Sequence, residues 1–193
     1  MDTAVKLIVG LGNPGQQYAQ TRHNAGADFI TALAKHHMAS LKKEAKFFGE
    51  TARITISGQD IRLLKPATFM NLSGQAVGAM AHFFNIPPQA ILVAHDELDL
   101  TPGRSQLKIG GGHGGHNGLK DIIKALGNDK NFARLRIGIG RPEHSSEVSS
   151  FVLRRAPQKE QQLIDDSTEA ALNITPELAH GEWNKAMKAL HTQ

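Results

Sequence analysis

The chain has 193 residues, a length that fits one domain with a buried core. It contains no cysteine, which excludes disulfides, thiolate nucleophiles and cysteine metal sites. Lysine and arginine outnumber aspartate and glutamate by 22 to 18, so the net charge is +4. This mild excess permits an anionic partner such as a nucleic acid but does not require one.

The amino terminus leads directly into a short apolar stretch, with no charged leader and no long apolar segment. We therefore expect neither a signal peptide nor a transmembrane helix. A chain without cysteine also suits a reducing compartment, and we expect a cytoplasmic protein.

Predicted strands and helices alternate in the first half of the chain. Residues 5–9 form a β-rich run, and residues 24–35 carry apolar side chains at helical spacing. Two β-branched runs, 51–56 and 61–64, flank a predicted hairpin turn at residues 57–60. That hairpin brings antiparallel pairing into the sheet.

The second half of the chain continues the alternation. It predicts a helix, two strands, a helix, a strand and further helices, over residues 72–83, 91–94, 107–109, 119–126, 135–139 and 160–191. We find no internal repeat and no linker. The pattern predicts one α/β domain over residues 1–193, with a twisted mixed β-sheet flanked by helices.

A glycine motif follows the first predicted strand. The run Gly10–Gly15, GLGNPG, has the glycine spacing of a dinucleotide-binding fingerprint, and a nucleotide-binding oxidoreductase is one alternative. However, a polar stretch at residues 16–23 follows, where the fingerprint requires an apolar helix. A glycine-rich turn explains the glycines but leaves Asn13 and His23 without a role.

Three carboxylates follow the buried strand at residues 91–94, in His95-Asp96-Glu97-Leu98-Asp99. Open α/β sheets commonly build their sites at such strand ends. A carboxylate there can accept a hydrogen bond from a histidine ring and favour its charged form, and His23 is the attractive partner. A solvated acidic loop is the alternative interpretation.

A second glycine run, residues 110–118, precedes a predicted helix. Its backbone can approach a ligand closely, and its amides can form an anion-binding nest. A noncatalytic RNA-binding module is therefore another alternative. His113 and His116 could instead bind a metal with His23 or Asp96, but the HExxH pattern is absent.

Covalent catalysis has no obvious nucleophile in this sequence. There is no cysteine and no GxSxG elbow, and Ser73 is more simply the start of a helix. Water activated by a histidine would serve an ester substrate. The side-chain amides of Asn13, Asn71 and Asn117 could bind the substrate or a developing oxyanion.

Five segments together resemble bacterial peptidyl-tRNA hydrolases in their order and spacing. Residues 5–142 carry almost all of the resemblance, which rests on LIVGLGNPGQQYAQTRHNAG, KPATFMNLSGQAV, VAHDELDL, KIGGGHGGHNGLKDII and FARLRIGIGRP. The resemblance implies an enzyme that cleaves the ester between a peptide and tRNA, releasing both for reuse in translation and ribosome rescue. It implies no cofactor, no metal, no membrane, no obligatory protein partner and a monomeric state.

The resemblance also assigns roles in the reaction. His23 would be the base that takes a proton from water, and Asp96 would orient and support its charged form. Asn13 would help to distinguish a blocked amino group from a free one.

Binding roles follow by the same motif matches. Asn71 and Asn117 would hold the peptide backbone and the reacting end, with Tyr18 and Phe69 lining the cleft.

For the tRNA, Lys108 and Arg136 match basic positions near phosphate groups. His113 and His116 would belong to a glycine-rich lid at the cleft.

Overall fold

A seven-stranded mixed β-sheet lies at the centre of the computed structural model, which describes residues 3–192. The strands are β1 (Leu7–Gly10), β2 (Lys42–Glu44), β3 (Gly49–Ile56), β4 (Gln59–Pro66), β5 (Ile91–Glu97), β6 (Ser105–Ile109) and β7 (Ala133–Gly138). Their order across the sheet is β2-β3-β4-β1-β5-β7-β6. The central strands β4, β1, β5 and β7 run parallel, whereas β2, β3 and β6 pair antiparallel with their neighbours.

Helices cover both faces of the sheet. They are α1 (Ala25–His36), α2 (Ser73–Phe83), α3 (Asn117–Ala125), α4 (Val148–Val152), α5 (Gln158–Leu172), α6 (Thr175–Ala179) and α7 (Trp183–His191). One apolar core lies under α1 and the carboxyl-terminal helices, and a second lies under α2 and α3. Side chains of a strand alternate between the two faces, so Ile8 enters the first core and Leu7 and Val9 enter the second. The predicted fold class is therefore confirmed.

No helix within residues 3–192 combines the length and the apolar character needed to cross a membrane.

The hairpin turn is shorter than predicted. Gln59 and Asp60 already belong to β4, and the turn consists of Ser57 and Gly58 alone. Both turn residues have positive φ, 49° and 78°, the conformation of a two-residue hairpin loop whose twist matches the flanking strands. Because Ser57 and Gly58 form this two-residue turn, β4 begins at Gln59, two residues before the predicted run at 61–64.

The predicted apolar face of residues 72–83 is only partly buried. Ala76 and Met80 are buried, whereas Leu72 and Phe83 are 49% and 56% exposed. Leu72 precedes the first residue of α2 and Phe83 is its last residue, so neither lies over the sheet as the middle of the helix does. Sequence periodicity also missed the short elements β2 and α4, which are too brief to show a period.

Helix α1 packs unusually close to β1 and β5. A Cβ atom on Gly26 would lie 2.1 Å from the Ala94 carbonyl oxygen, and one on Gly10 would lie 2.1 Å from the Gly26 carbonyl oxygen. Glycine at these two positions therefore allows the helix to contact the strands, because neither position has room for a side chain. Since α1 begins only at Ala25, after two one-turn 3-10 helices, the glycine motif does not open a helix as a dinucleotide fingerprint does.

This packing predicts that Gly26→Ala destabilises the fold. We expect the free energy of unfolding to fall by about 2 kcal/mol or more, because the new methyl group meets backbone that cannot move aside. Gly78→Ala in α2 is the matched control, since its Cβ would meet nothing closer than 3.6 Å. Urea unfolding of both variants measures the difference, and equal stabilities would contradict the close approach of α1.

Candidate active site

His23, Asp96 and His116 form a hydrogen-bonded cluster at the carboxyl edge of the parallel strands. His23 sits in a one-turn 3-10 helix before α1, Asp96 is near the end of β5, and His116 immediately precedes α3. Asp96 Oδ2 lies 2.9 Å from His23 Nδ1, and Asp96 Oδ1 lies 2.8 Å from His116 Nε2. The Asp96 side chain is only 3% exposed, so each carboxylate oxygen faces an imidazole in place of water.

The backbone fixes the protonation of His116. Its Nδ1 atom accepts a hydrogen bond from the Gly118 amide at 3.1 Å, so Nδ1 carries no proton. The ring proton is therefore on Nε2 and is donated to Asp96. His23 donates its own Nδ1 proton to the other oxygen, which leaves the lone pair of His23 on Nε2.

Electrostatics within the cluster favour a charged His23. Burial opposes the charge, but the Asp96 carboxylate outweighs burial and raises the pKa of His23 above its ordinary value. Burial likewise opposes the charge of Asp96, yet His23 and His116 hold its pKa far below the usual range. Burial and the nearby His116 lower the pKa of His95 to about 4, so His95 stays neutral.

Asn13 is held rigidly from both sides. Asn24 clamps its backbone, accepting from the Asn13 amide at 2.8 Å and donating to the Asn13 carbonyl at 3.0 Å. The Asn13 side-chain oxygen accepts from the Met70 amide at 2.7 Å. Because a backbone amide can only donate, Oδ1 is the occupied atom, and the Nδ2 donor of Asn13 remains for another partner.

Tyr18 and Phe69 form an aromatic pair beside this amide. Their ring centroids are 6.4 Å apart at an interplanar angle of 88°, an edge-to-face arrangement. Phe69 is 54% exposed, and it directly precedes Met70, the residue bonded to Asn13. An apolar surface and a fixed amide donor are therefore adjacent.

Two cavities contain most of the remaining predicted residues. The larger, of about 630 Å³, is lined by His23, Asp96, Lys108, His116, Asn117 and Arg136 among others. A neighbouring cavity of about 480 Å³ is lined by Asn71, Asn117, His113 and Lys120 among others. The structure thus brings His23, Asp96, Asn117, Lys108 and Arg136 into one cleft. Asn13, Tyr18 and Phe69 line neither cavity, but Asn13 bonds to the amide of Met70, the residue before Asn71.

The two predicted phosphate-binding residues differ in their surroundings. Arg136 donates to Glu97 at 2.8 Å and to Gln106 at 3.2 Å, so a carboxylate already offsets its charge. Lys108 is exposed, and its backbone partner across β6 and β7 is Arg134, another cation. The charge of Lys108 is therefore the less compensated of the two.

His113 and His116 do not act together. His116 is held against Asp96, whereas His113 is exposed and accepts from the Gly115 amide of its own loop. The ring of His116 is held at both nitrogens, and the place of the two histidines in a lid stays a prediction. The donor atoms of His23, Asp96 and His116 do lie within 4.8 Å of one another, a group that could hold a metal ion. A metal would have to replace both hydrogen bonds of Asp96.

Sequence reasoning missed three residues that shape the site. They are His116 as the second partner of Asp96, Asn24 as the clamp on Asn13, and Arg134, which donates to the carbonyls of Gly110, Gly111 and Gly112. The position of His116 three residues before the predicted helix was the one available signal, because capping side chains lie close to a helix start. The other two contacts join distant segments and leave no local pattern.

An imidazole paired with a buried carboxylate in an open α/β cleft is the arrangement with which hydrolases activate a nucleophile. A family profile described as peptidyl-tRNA hydrolase matches residues 7–193. The peptidyl-tRNA hydrolase of Pseudomonas savastanoi pv. phaseolicola is 60% identical over 191 residues, 99% of this chain and 98% of that protein. That of Saccharophagus degradans is 56% identical over 192 residues, 100% of this chain and 98% of that protein.

Solved structures agree with the sequence comparison. The crystal structure of peptidyl-tRNA hydrolase from Acinetobacter baumannii has a TM-score of 0.94 at 51% identity, covering 97% of this chain and 94% of that chain. This chain belongs to the peptidyl-tRNA hydrolase family and is a hydrolase. The family resemblance predicted from the sequence is confirmed, and the oxidoreductase and the noncatalytic module are wrong.

The cluster predicts a pKa shift that can be measured without any substrate. In the wild type we expect His23 to titrate above its ordinary value of about 6.5. In Asp96→Asn the stabilising charge is gone while burial remains, so the pKa of His23 should fall below that of the wild type. Histidine-selective NMR titration gives both values, and an unchanged His23 pKa in the variant would contradict the pairing.

Proposed function

We propose that this chain hydrolyses the ester bond between the peptide and the terminal ribose of peptidyl-tRNA, using a water activated by His23. The observation that carries the proposal is the 2.9 Å contact between His23 Nδ1 and Asp96, because it leaves the basic lone pair on Nε2 at the cleft. Family membership supplies the substrate class.

The proposed reaction has two proton transfers. His23 Nε2 takes a proton from water as the water oxygen bonds to the ester carbonyl carbon. The bond from that carbon to the ribose oxygen then breaks, and the imidazolium returns the proton to the leaving oxygen. The products are a free peptide carboxyl group and a free tRNA hydroxyl group, so the atoms balance.

Asp96 stabilises the imidazolium that forms between these transfers. Its charge is buried beside His23, where electrostatic interactions are stronger than in water. His116 acts on Asp96 and not on the substrate: its N–H holds the second carboxylate oxygen and keeps the first aimed at His23.

Asn13 discriminates between blocked and free amino groups in this proposal. Its free Nδ2 atom is a donor, and a donor can bind the carbonyl oxygen that precedes a blocked nitrogen. A free ammonium is itself a donor, so it offers Asn13 nothing to bind. Rigid placement by Asn24 and Met70 supports this role, since an amide that cannot turn cannot present its oxygen instead.

The remaining residues bind the two halves of the substrate. We assign the peptide backbone and the reacting end to Asn71 and Asn117, and the apolar wall to Tyr18 and Phe69. Lys108 and Arg136 contact tRNA phosphates and give affinity without reading the base sequence.

The proposal also covers the setting of the enzyme. We place it in the cytoplasm as a monomer of one domain over residues 1–193, returning tRNA to translation and aiding ribosome rescue without a metal or other cofactor. Translation in the cytoplasm is where peptidyl-tRNA arises, and the reaction above balances without an added group.

The first test compares the wild type with His23→Ala on an N-blocked aminoacyl-tRNA in the presence of a chelator. We expect the wild type to release the acyl group and the variant to be slower by about 100-fold or more, because base catalysis is lost. His82→Ala is the control, since His82 is exposed on α2. Activity that depends on added metal would contradict the mechanism and favour the group of His23, Asp96 and His116 as a metal site.

A second test changes the donor at position 13 into an acceptor. Asn13→Asp still accepts from the Met70 amide but presents an oxygen where Nδ2 was. The preference for N-blocked over unblocked aminoacyl-tRNA, as a ratio of kcat/KM, should fall at least about tenfold. Exposed Asn173→Asp carries the same change of charge as a control. An unchanged ratio would remove Asn13 from the recognition of the blocked nitrogen.

A further inference from the structure

Arg134 holds one end of the glycine-rich segment, defined here as residues 110–116. The residue is 2% exposed, and its guanidinium lies 4.1 Å from the centroid of the Phe132 ring. Nη1 donates to the carbonyls of Gly110 and Gly112 at 2.9 and 3.0 Å. Nη2 donates to the carbonyls of Gly111 and Lys130 at 2.8 and 3.2 Å.

These bonds determine where the neighbouring amides point. In a planar trans peptide the N–H group points opposite to the carbonyl of the same unit. Three consecutive carbonyls converge on Arg134, so the amides of Gly111, Gly112 and His113 point away from it. Gly110 and Gly111 have φ of 72° and 104°, backbone conformations that glycine adopts without strain.

The three amides are open to a ligand. Gly111, Gly112 and His113 are all exposed, and Gly112 and His113 line the larger cavity beside His23. Within residues 3–192 none of the three amides donates to a protein acceptor. We call these three N–H groups the amide row.

The charge behind the amide row is uncompensated. Arg134 and Lys108 are direct neighbours across β6 and β7. No carboxylate among residues 3–192 forms an ion pair with either of them. Like charges at such positions repel, and a bound anion relieves the repulsion. A Cβ on Gly111 would lie 3.0 Å from Lys108 Nζ, so the lysine lies beside the first residue of the amide row. Burial of the guanidinium without a counter-ion lowers the pKa of Arg134 to about 10.

We propose that Arg134 is a positioning residue that turns the amide row outward to bind a phosphate group of the tRNA together with Lys108. The inference rests on the proposed function for the identity of the anion. Arg134 touches no substrate itself. It orients the three donors, and its positive charge polarises the peptide units that carry them.

The experiment compares two substrates that differ in phosphate. One is N-blocked aminoacyl-tRNA, and the other is the same N-blocked aminoacyl group on adenosine, which has no phosphate. Arg134→Met should reduce kcat/KM for the tRNA substrate at least about tenfold more than for the adenosine substrate. This additional loss should come from a higher KM for the tRNA substrate. Arg53→Met, at an exposed ion pair with Asp60, is the control and should reduce neither. Equal losses on the two substrates would overturn the proposal.

A second pair of variants covers the case in which Arg134→Met does not fold. Gly112→Pro removes one donor of the amide row, and Gly112→Ala keeps it. A Cβ at this position would meet nothing within 4 Å, so the alanine methyl group has room, and the proline ring replaces an N–H group of an exposed residue. We expect the KM for the tRNA substrate to be about tenfold higher for the proline variant than for the alanine variant. The same KM for both variants would exclude the amide row.

Binding of deacylated tRNA separates this inference from the hydrolysis itself. Fluorescence anisotropy across a range of salt concentrations gives the affinity and the slope of log affinity against log salt, which measures the phosphates that cations neutralise. Gly112→Pro should bind this tRNA about tenfold more weakly than Gly112→Ala at each salt concentration, with the same slope, because the lost N–H group carries no charge. If the wild type cleaves neither substrate, the proposed function fails, while the affinity for deacylated tRNA still decides the role of the amide row: equal affinities of the two variants would overturn it.

Discussion

The site depends on one buried carboxylate that accepts two imidazole N–H groups. Asp96 could not remain charged at 3% exposure without them, because an unpaired buried charge costs several kcal/mol. Each partner comes from a different segment, His23 from the loop after β1 and His116 from the start of α3. The backbone amide of Gly118 settles the tautomer of His116, and the Asp96 oxygen that faces Nδ1 settles the tautomer of His23. The basic nitrogen of His23 is therefore decided by which of its ring atoms faces the carboxylate.

Close backbone packing makes this arrangement possible. The contact of Gly26 with Ala94 brings the start of α1 against β5, and His23 reaches Asp96 because it lies three residues before that contact. The same demand for space explains Gly10 in the motif that resembles a nucleotide fingerprint. Glycine spacing alone does not distinguish a backbone that approaches a phosphate from one that approaches a helix.

Cations around the cleft fall into two kinds. Arg136 is offset by Glu97, whereas Arg134 and Lys108 stand opposite each other without a carboxylate partner within residues 3–192. Arg134 donates hydrogen bonds to glycine carbonyls, so it acts on the cleft through the backbone. A count of lysine and arginine in the sequence cannot separate these roles, because they depend on what each side chain contacts.

The sequence by itself determined the α/β class, the order of most strands and helices, and the family, because local periodicity and motif spacing are written in consecutive residues. It also indicated His23 and Asp96, although not the distance between them. Only the tertiary structure decided that His116 completes the cluster, that Asn24 and Met70 orient Asn13, and that Arg134 holds the glycine-rich segment. These contacts join residues far apart in the chain, Asn13 with Met70 and Gly112 with Arg134 among them, and hydrogen-bond geometry between such residues exists only once the sheet has brought them together.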